Sequence, residues 1–118
     1  MKIINKAIFA AITILAIVVV SRYVLGYGFF IATGDSMLPT FSQYNIGILH
    51  YTKDVGIGDI VAYYGDGWQT KGMNILHRIT DKNEGCWVIC GDNHSRPHLC
   101  ELVKPEQIEG KIVINLNL

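Results

Sequence analysis

The sequence has few charged residues, few cysteines and no acidic residue in its first thirty positions. Of its 118 residues only 17% are charged, and ten bases balance ten acids. Because no basic stripe is interleaved with aromatic residues, we expect no binding to nucleic acid. Three cysteines, an odd number, exclude a fully paired disulfide framework within one chain. There is no repeat, low-complexity tract or long linker, and the length suits one domain.

The first thirty residues form an apolar segment that carries three bases. A helix over residues 7–20 would reach about 21 Å, short of a ~30 Å hydrocarbon layer, but a helix that continues to Tyr27 is long enough. We therefore predict a single-pass membrane anchor over residues 1–30. The alternative is a cleaved signal peptide, which has the same charged start and short apolar core. Lys2 and Lys6 predict a cytoplasmic N-terminus and a folded domain on the extracytoplasmic face.

Residues 31–118 contain short β-rich runs separated by glycines, which predicts a small, mainly β domain. A single helical turn is predicted at residues 105–108, before the last strand. The candidate strands cover residues 46–51, 59–64, 75–80, 86–89 and 111–116.

The cysteines lie close together, at Cys86, Cys90 and Cys100. One bridge, between Cys90 and Cys100, is an option if the domain faces an oxidising compartment. A structural zinc site is the weaker alternative, because the spacing of these cysteines with His94 and His98 matches no common zinc pattern. We therefore predict no metal.

Ser36 is the first residue that could carry chemistry, in the heptapeptide GDSMLPT at residues 34–40. Because Pro39 disfavours helical geometry at Leu38, we expect the chain just after Ser36 to be extended. A serine hydroxyl is a poor nucleophile until a neighbouring base removes its proton. The alternative is that residues 34–40 are only a polar turn between the anchor and the domain.

The candidate base is His77, because strand alternation puts it on one face with two isoleucines, where a polar imidazole needs a partner. His77 could equally be a structural histidine bonded to a backbone carbonyl, and His50 is predicted to be structural. Asp92, between Gly91 and Asn93, either holds a tight turn or orients an imidazole.

The sequence resembles type I signal peptidases through three groups of residues in that family's order: GDSMLPT at 34–40, GDIV at 58–61 with ILHRI at 75–79, and GDN at 91–93 with IEGKIV at 108–113. The resemblance covers nearly the whole chain after the anchor. The histidine at position 77, where bacterial housekeeping enzymes carry lysine, is similar to the archaeal and endoplasmic-reticulum branch. The resemblance implies a small β catalytic domain, Ser36 as nucleophile, His77 as general base and no cofactor.

The sequence departs from the family pattern at three points. The family places a second aspartate six or seven residues after that of the Gly-Asp-Asn turn, where this chain has His98 and Leu99. Asp92 would then orient His77, or the pair would act alone. Gly34 stands where some members carry a serine that helps to hold the oxyanion. The chain also lacks the large inserted β-domain of the bacterial housekeeping forms.

The missing serine leaves the Ser36 backbone N–H, with the Thr33 hydroxyl, as predicted oxyanion donors. For substrate binding, the prediction is an extended peptide beside a strand edge near residues 31–38, with pockets lined by Ile31, Met37 or Leu76.

The resemblance implies a membrane-bound serine endopeptidase that removes signal peptides from secretory preproteins after small-x-small sites. Its expected partners are these preproteins and the lipid bilayer. One alternative is a catalytically degenerate, membrane-anchored β-domain that acts as a binding subunit. Another is a narrow-range processing peptidase of a conjugation, pilus or phage system.

Overall fold

The N-terminal part of the protein is a single helix, α1, over Ile3–Tyr23. The structure is a computed structural model that describes residues 3–67, 70–95 and 100–116. The helix has no proline or glycine to interrupt it, and its stretch Asn5–Tyr23 is long and apolar enough to cross a membrane. At 1.5 Å per residue, the helix extends for about 32 Å. None of the side chains in that stretch is buried, and those of residues 5–20 are all exposed.

The rest of the described chain is mainly β, as predicted, and its strands form one antiparallel sheet. The strands are β1 Tyr27–Ile31, β2 Ile46–Tyr51, β3 Ile60–Tyr64, β4 Asn74–Asn83, β5 Cys86–Cys90, β6 Cys100–Val103 and β7 Ile108–Leu116. The order across the sheet is β1-β2-β7-β3-β4-β5-β6, so the last strand in sequence lies near the middle. A 3-10 turn over Pro105–Gln107 precedes β7, at the position where the sequence predicts a helical turn.

The predicted anchor segment, residues 1–30, contains more than the helix. The helix stops at Tyr23, and Gly26 then adopts a positive φ of 75°, a conformation that glycine tolerates and other residues resist. After this turn β1 pairs with β2, so Tyr27–Ile31 belongs to the sheet. At the end of the helix, the Arg22 guanidinium lies 3.6 Å from the centre of the Tyr51 ring. This cation–π contact connects the helix to the sheet.

The sheet has a hydrophobic cluster on each face, and the two clusters share strand β3. Alternation along β3 sends Ala62 into one cluster and both Val61 and Tyr63 into the other. The first cluster also holds Met37 and Phe41, from the segment that follows Ser36. The serine segment is therefore fixed by the core of the domain.

The disulfide predicted as an option is present, between Cys90 at the end of β5 and Cys100 at the start of β6. These two residues are also paired in the β5–β6 register, so the bond fastens the short edge strand β6 to the sheet. Cys86 is free. Asp59 accepts a hydrogen bond from the Gly56 N–H at 2.9 Å, as expected of a turn residue.

Candidate active site

Ser36 lies in a compact turn, which the hydrophobic core holds from one side. Gly34 has a φ of 84°, in the left-handed region that glycine accepts. The chain after Ser36 is not extended as predicted: it turns, and the Phe41 N–H donates to the Met37 carbonyl at 2.9 Å. This turn sends both the Met37 and the Phe41 side chains into the core, where they are 4% and 1% exposed. Burial of the Met37 and Phe41 side chains outweighs the preference for extended backbone that Pro39 imposes on Leu38.

The loop after β5 holds the serine turn from the other side. The Asn93 N–H donates to the Ser36 carbonyl at 2.9 Å, and the Asn93 side-chain amide donates to the Asp35 carbonyl, also at 2.9 Å. In addition, the Thr40 hydroxyl donates to the Asp92 carboxylate at 2.6 Å. The Gly-Asp-Asn turn therefore fixes the backbone on both sides of the serine.

His77 lies on β4 directly opposite Val61, and its ring reaches the serine turn. Its Nε2 atom is 3.1 Å from the Ser36 Oγ atom, within hydrogen-bond distance although the two residues are 41 positions apart. The predicted face is confirmed, since the neighbouring Ile75 and Ile79 pack in the same cluster as Tyr63. The structure thus brings together the two residues that the sequence singles out.

Burial lowers the pKa of His77, because the surroundings penalise the charged imidazolium more than the nearby carboxylates of Glu101 and Asp92 favour it. The ring is therefore neutral at physiological pH, with one nitrogen free to accept a proton. A neutral imidazole in contact with a hydroxyl is the protonation state that a general base requires.

The second nitrogen of His77 faces Tyr63, which in turn contacts Glu101, and sequence reasoning missed both residues. The Tyr63 hydroxyl lies 3.5 Å from His77 Nδ1 and donates to Glu101 Oε1 at 2.7 Å. The Thr70 hydroxyl donates to the other carboxylate oxygen of Glu101 at 3.2 Å. Tyr63 is wholly buried, and burial together with Glu101 raises the pKa of its hydroxyl, so it stays protonated. The sequence gives one hint of this role: Glu101 is an acid close to the position of the expected second aspartate. It lies on β6, a strand that the sequence pattern does not predict.

Asp92, the predicted orienting acid, does not contact a ring nitrogen of His77. Its carboxylate instead accepts two hydrogen bonds from Arg78, Nε to Oδ1 at 2.9 Å and Nη2 to Oδ2 at 2.8 Å, besides the bond from Thr40. Arg78 follows His77 in β4 but points to the opposite face, so its partner lies away from the imidazole. Asp92 therefore fastens the serine turn to the histidine strand.

A cleft of about 260 Å³ opens beside Ser36 and His77. Of the predicted binding residues, Met37 and Leu76 line the cleft, and both side chains are buried. Ile31 does not line it, because strand alternation turns its side chain to the exposed face of β1. The neighbouring residues Phe30 and Ala32 line the cleft in its place.

The predicted oxyanion donors lie at the same cleft. Thr33 is exposed and lines the cleft together with Ser36. Within the described ranges, the Ser36 backbone N–H donates to no protein acceptor, so it is available to a bound group. Both residues that carry the predicted donors therefore border the cleft.

Of the described histidines, His50 and His94 are not part of this arrangement. His50 stacks on Tyr27, with ring centres 4.8 Å apart, in a structural role across the β1–β2 pair. His94 is exposed in the loop after β5, and position 98 lies outside the described residues. Of the alternative zinc ligands, Cys90 and Cys100 are bonded to each other.

The geometry places a hydroxyl, a neutral imidazole and two candidate oxyanion donors around one cleft, which is the arrangement that nucleophilic acyl transfer requires. No protein-family model matches the chain, and no curated protein matches it either.

Proposed function

We propose that this chain is a membrane-bound serine endopeptidase that removes signal peptides from secretory preproteins, as its resemblance to type I signal peptidases implies. The observation that carries the proposal is the 3.1 Å contact between Ser36 Oγ and His77 Nε2 at the cleft. A polar turn that served only as a connector would not need a partly buried hydroxyl against a buried imidazole.

The proposed reaction is acyl transfer. His77 takes the proton from Ser36, the hydroxyl oxygen attacks the scissile carbonyl, and the imidazolium gives the proton to the leaving amine. Water then hydrolyses the acyl-enzyme, again with His77 as base. The Ser36 N–H and the Thr33 hydroxyl would hold the oxyanion, and donors of this kind typically contribute about 2.7–4 kcal/mol each.

The cleft favours an extended peptide with small side chains. β1 is an edge strand, and the start of β4 near Asn74 pairs only with β3 in the described sheet, so both walls of the cleft offer backbone groups to a peptide. The volume of about 260 Å³ lies below the ~300 Å³ where pockets for drug-sized ligands begin. Pockets bordered by Met37 and Leu76 would accept alanine and exclude larger residues.

The location of the site fits a substrate that emerges from a bilayer. Only three residues, 24–26, separate the helix from the sheet that carries the cleft. Lys2 and Lys6 favour a cytoplasmic N-terminus. The Cys90–Cys100 disulfide favours an oxidising compartment for the domain, which independently supports the extracytoplasmic face.

The test is cleavage of a preprotein by the purified full chain in detergent, beside its Ser36→Ala variant. We expect cleavage at a small-x-small site by the native chain and none by Ser36→Ala or His77→Ala. The matched controls Ser42→Ala and His50→Ala change a serine and a histidine outside the cleft and should keep most of the activity. Full processing by Ser36→Ala would reject the assignment.

Two outcomes would favour the alternatives. If the folded native chain neither cleaves a preprotein nor reacts at Ser36 with an acylating probe, it is a binding subunit rather than an enzyme. If Ser36 is acylated but only one of several unrelated preproteins is cleaved, the chain is a narrow-range processing peptidase.

A further inference from the structure

A chain of polar contacts leads from the nucleophile to a carboxylate that the sequence pattern does not assign. It runs from Ser36 to His77, from His77 to Tyr63, and from Tyr63 to Glu101. The last two residues come from β3 and β6, on either side of the histidine strand in the sheet order. The disulfide at Cys100, the residue before Glu101, fastens the backbone of β6, and the Tyr63 and Thr70 hydroxyls hold the carboxylate.

The direction of the hydrogen bonds in this chain follows from counting protons. A tyrosine hydroxyl has one proton, and that of Tyr63 is donated to Glu101 at 2.7 Å. The Tyr63 oxygen can then only accept, so a hydrogen bond across the 3.5 Å to His77 requires the imidazole proton on Nδ1. The lone pair of the neutral ring is consequently on Nε2, which faces Ser36. Only this tautomer can accept the serine proton.

Of the two carboxylates near His77, Glu101 is the one that is available to orient the ring. The groups that face the ring are Tyr63 from β3, Glu101 from β6 and, at longer range, Asp92 from the loop after β5. Asp92 is engaged by Arg78 and Thr40, so its charge is largely compensated. Glu101 accepts only from neutral hydroxyls among the described contacts, and it opposes the effect of burial on His77 more strongly than Asp92 does.

We propose that Glu101 and Tyr63 together position His77: the carboxylate orients the Tyr63 hydroxyl, and this hydroxyl fixes the tautomer and orientation of the imidazole. Glu101 would take the place of the second aspartate that the resemblance to signal peptidases leads one to expect. The kinetic part of this inference rests on the proposed function. Neither residue transfers a proton. Tyr63 stays protonated, and its hydroxyl, which the Glu101 carboxylate orients, presents its oxygen to His77 Nδ1.

The first experiment needs no peptidase activity. Nitrogen chemical shifts of ¹⁵N-histidine in the full chain, in detergent micelles, report which ring nitrogen is protonated and give the pKa of His77. We expect the Nδ1–H tautomer in the native chain and a mixture of tautomers in Tyr63→Phe. In Glu101→Gln, which keeps the side-chain shape, the pKa of His77 should fall further because a carboxylate that opposes burial is lost.

The second experiment is preprotein cleavage by the same variants. We expect kcat to fall about 10²-fold or more in Tyr63→Phe, up to the ~10⁴-fold typical of a lost orienting acid, with KM little changed. The controls are Tyr64→Phe, the next tyrosine in sequence and half exposed, and the exposed Glu106→Gln, which should keep native rates and native histidine spectra. Thermal unfolding separates a loss of fold from a loss of positioning, and Glu101→Gln carries the test if Tyr63→Phe does not fold.

The outcomes separate this inference from the proposed function. Native tautomer, pKa and kcat in both Tyr63→Phe and Glu101→Gln would overturn the positioning role and leave the peptidase assignment standing. Altered His77 spectra in a chain that cleaves no preprotein would support the positioning pair and reject the peptidase.

Discussion

Replacing Asp92 by asparagine should weaken the fold far more than it impairs the chemistry. The substitution removes a carboxylate that accepts two hydrogen bonds from Arg78 and one from Thr40. A hydrogen bond to a charged group contributes about 1.5–3 kcal/mol, but exposed ion pairs contribute only about 0.2–1 kcal/mol. Because the Arg78 side chain is 34% exposed, we expect an intermediate loss, about 1–2 kcal/mol in the free energy of unfolding.

The pH dependence of this loss follows from the pKa of Asp92. Burial favours the neutral acid, but the hydrogen bonds from Arg78 and Thr40 outweigh burial and hold the pKa below its ordinary value. When the pH falls, the unfolded chain therefore takes up the proton before the folded one. The stabilisation is complete above the ordinary carboxyl pKa and is lost as the pH drops through the folded-state pKa. The difference between the native chain and Asp92→Asn should accordingly shrink in acid.

Thermal unfolding of the full chain in detergent, at neutral pH and near pH 3, measures both effects. For a domain of this size, each kcal/mol lowers Tm by roughly 4–8 °C. The exposed Asp66→Asn is the matched control and should leave Tm within about a degree. Preprotein cleavage is measured on the same samples. A ~10⁴-fold fall in kcat at unchanged stability would refute this reasoning and restore Asp92 as the orienting acid.

Three further predictions use other features of the fold. Because burial lowers the pKa of His77, the acid limb of kcat/KM should lie below the ordinary value of 6.5, and a limb above pH 8 would point to another base. Replacing Cys90 and Cys100 together by serine should lower the free energy of unfolding by about 2–3 kcal/mol, measured in urea, and an unchanged unfolding midpoint would show that β6 does not need the bond. Gly110→Ala should prevent pairing of β2 with β7, since a Cβ there would overlap the His50 carbonyl oxygen; a native circular-dichroism spectrum and Tm would contradict this.

Much of the sheet was predictable because most of its strands are short β-rich runs that are bounded by turn residues. All five predicted strands are present, with ends that differ by a few residues. The two strands that were missed had no such pattern. The aromatic run Tyr27–Ile31 follows an apolar helix so closely that the pattern favours the anchor for all of it but Ile31, and Cys100–Val103 is only four residues long. Its pairing depends on β5 and on a disulfide rather than on local sequence.

The candidate site was predictable only in part, for a related reason. Ser36 and His77 stand in local patterns that indicate their chemistry, and the structure brings them within 3.1 Å. Tyr63 and Glu101 have no such pattern: their place behind His77 depends on the register of β3 with β4 and of β5 with β6. Register is a long-range property, and a shift by one residue would turn each side chain to the other face. The neighbours of Asp92 in sequence suggest that it orients the imidazole. Its carboxylate instead pairs with Arg78, whose side chain lies on the face away from the imidazole.

The position of β7 has a consequence for how the site is assembled. Ser36 follows β1, whereas His77 belongs to the β3–β4 hairpin, and β7 is inserted between these two halves of the sheet. During synthesis, the half that carries the hydroxyl and the half that carries the imidazole are complete before the strand that joins them has left the ribosome. A nascent chain therefore holds both side chains before the strand between the two halves is in place, and the Ser36–His77 contact would be aligned only once β7 has paired with β2 and β3.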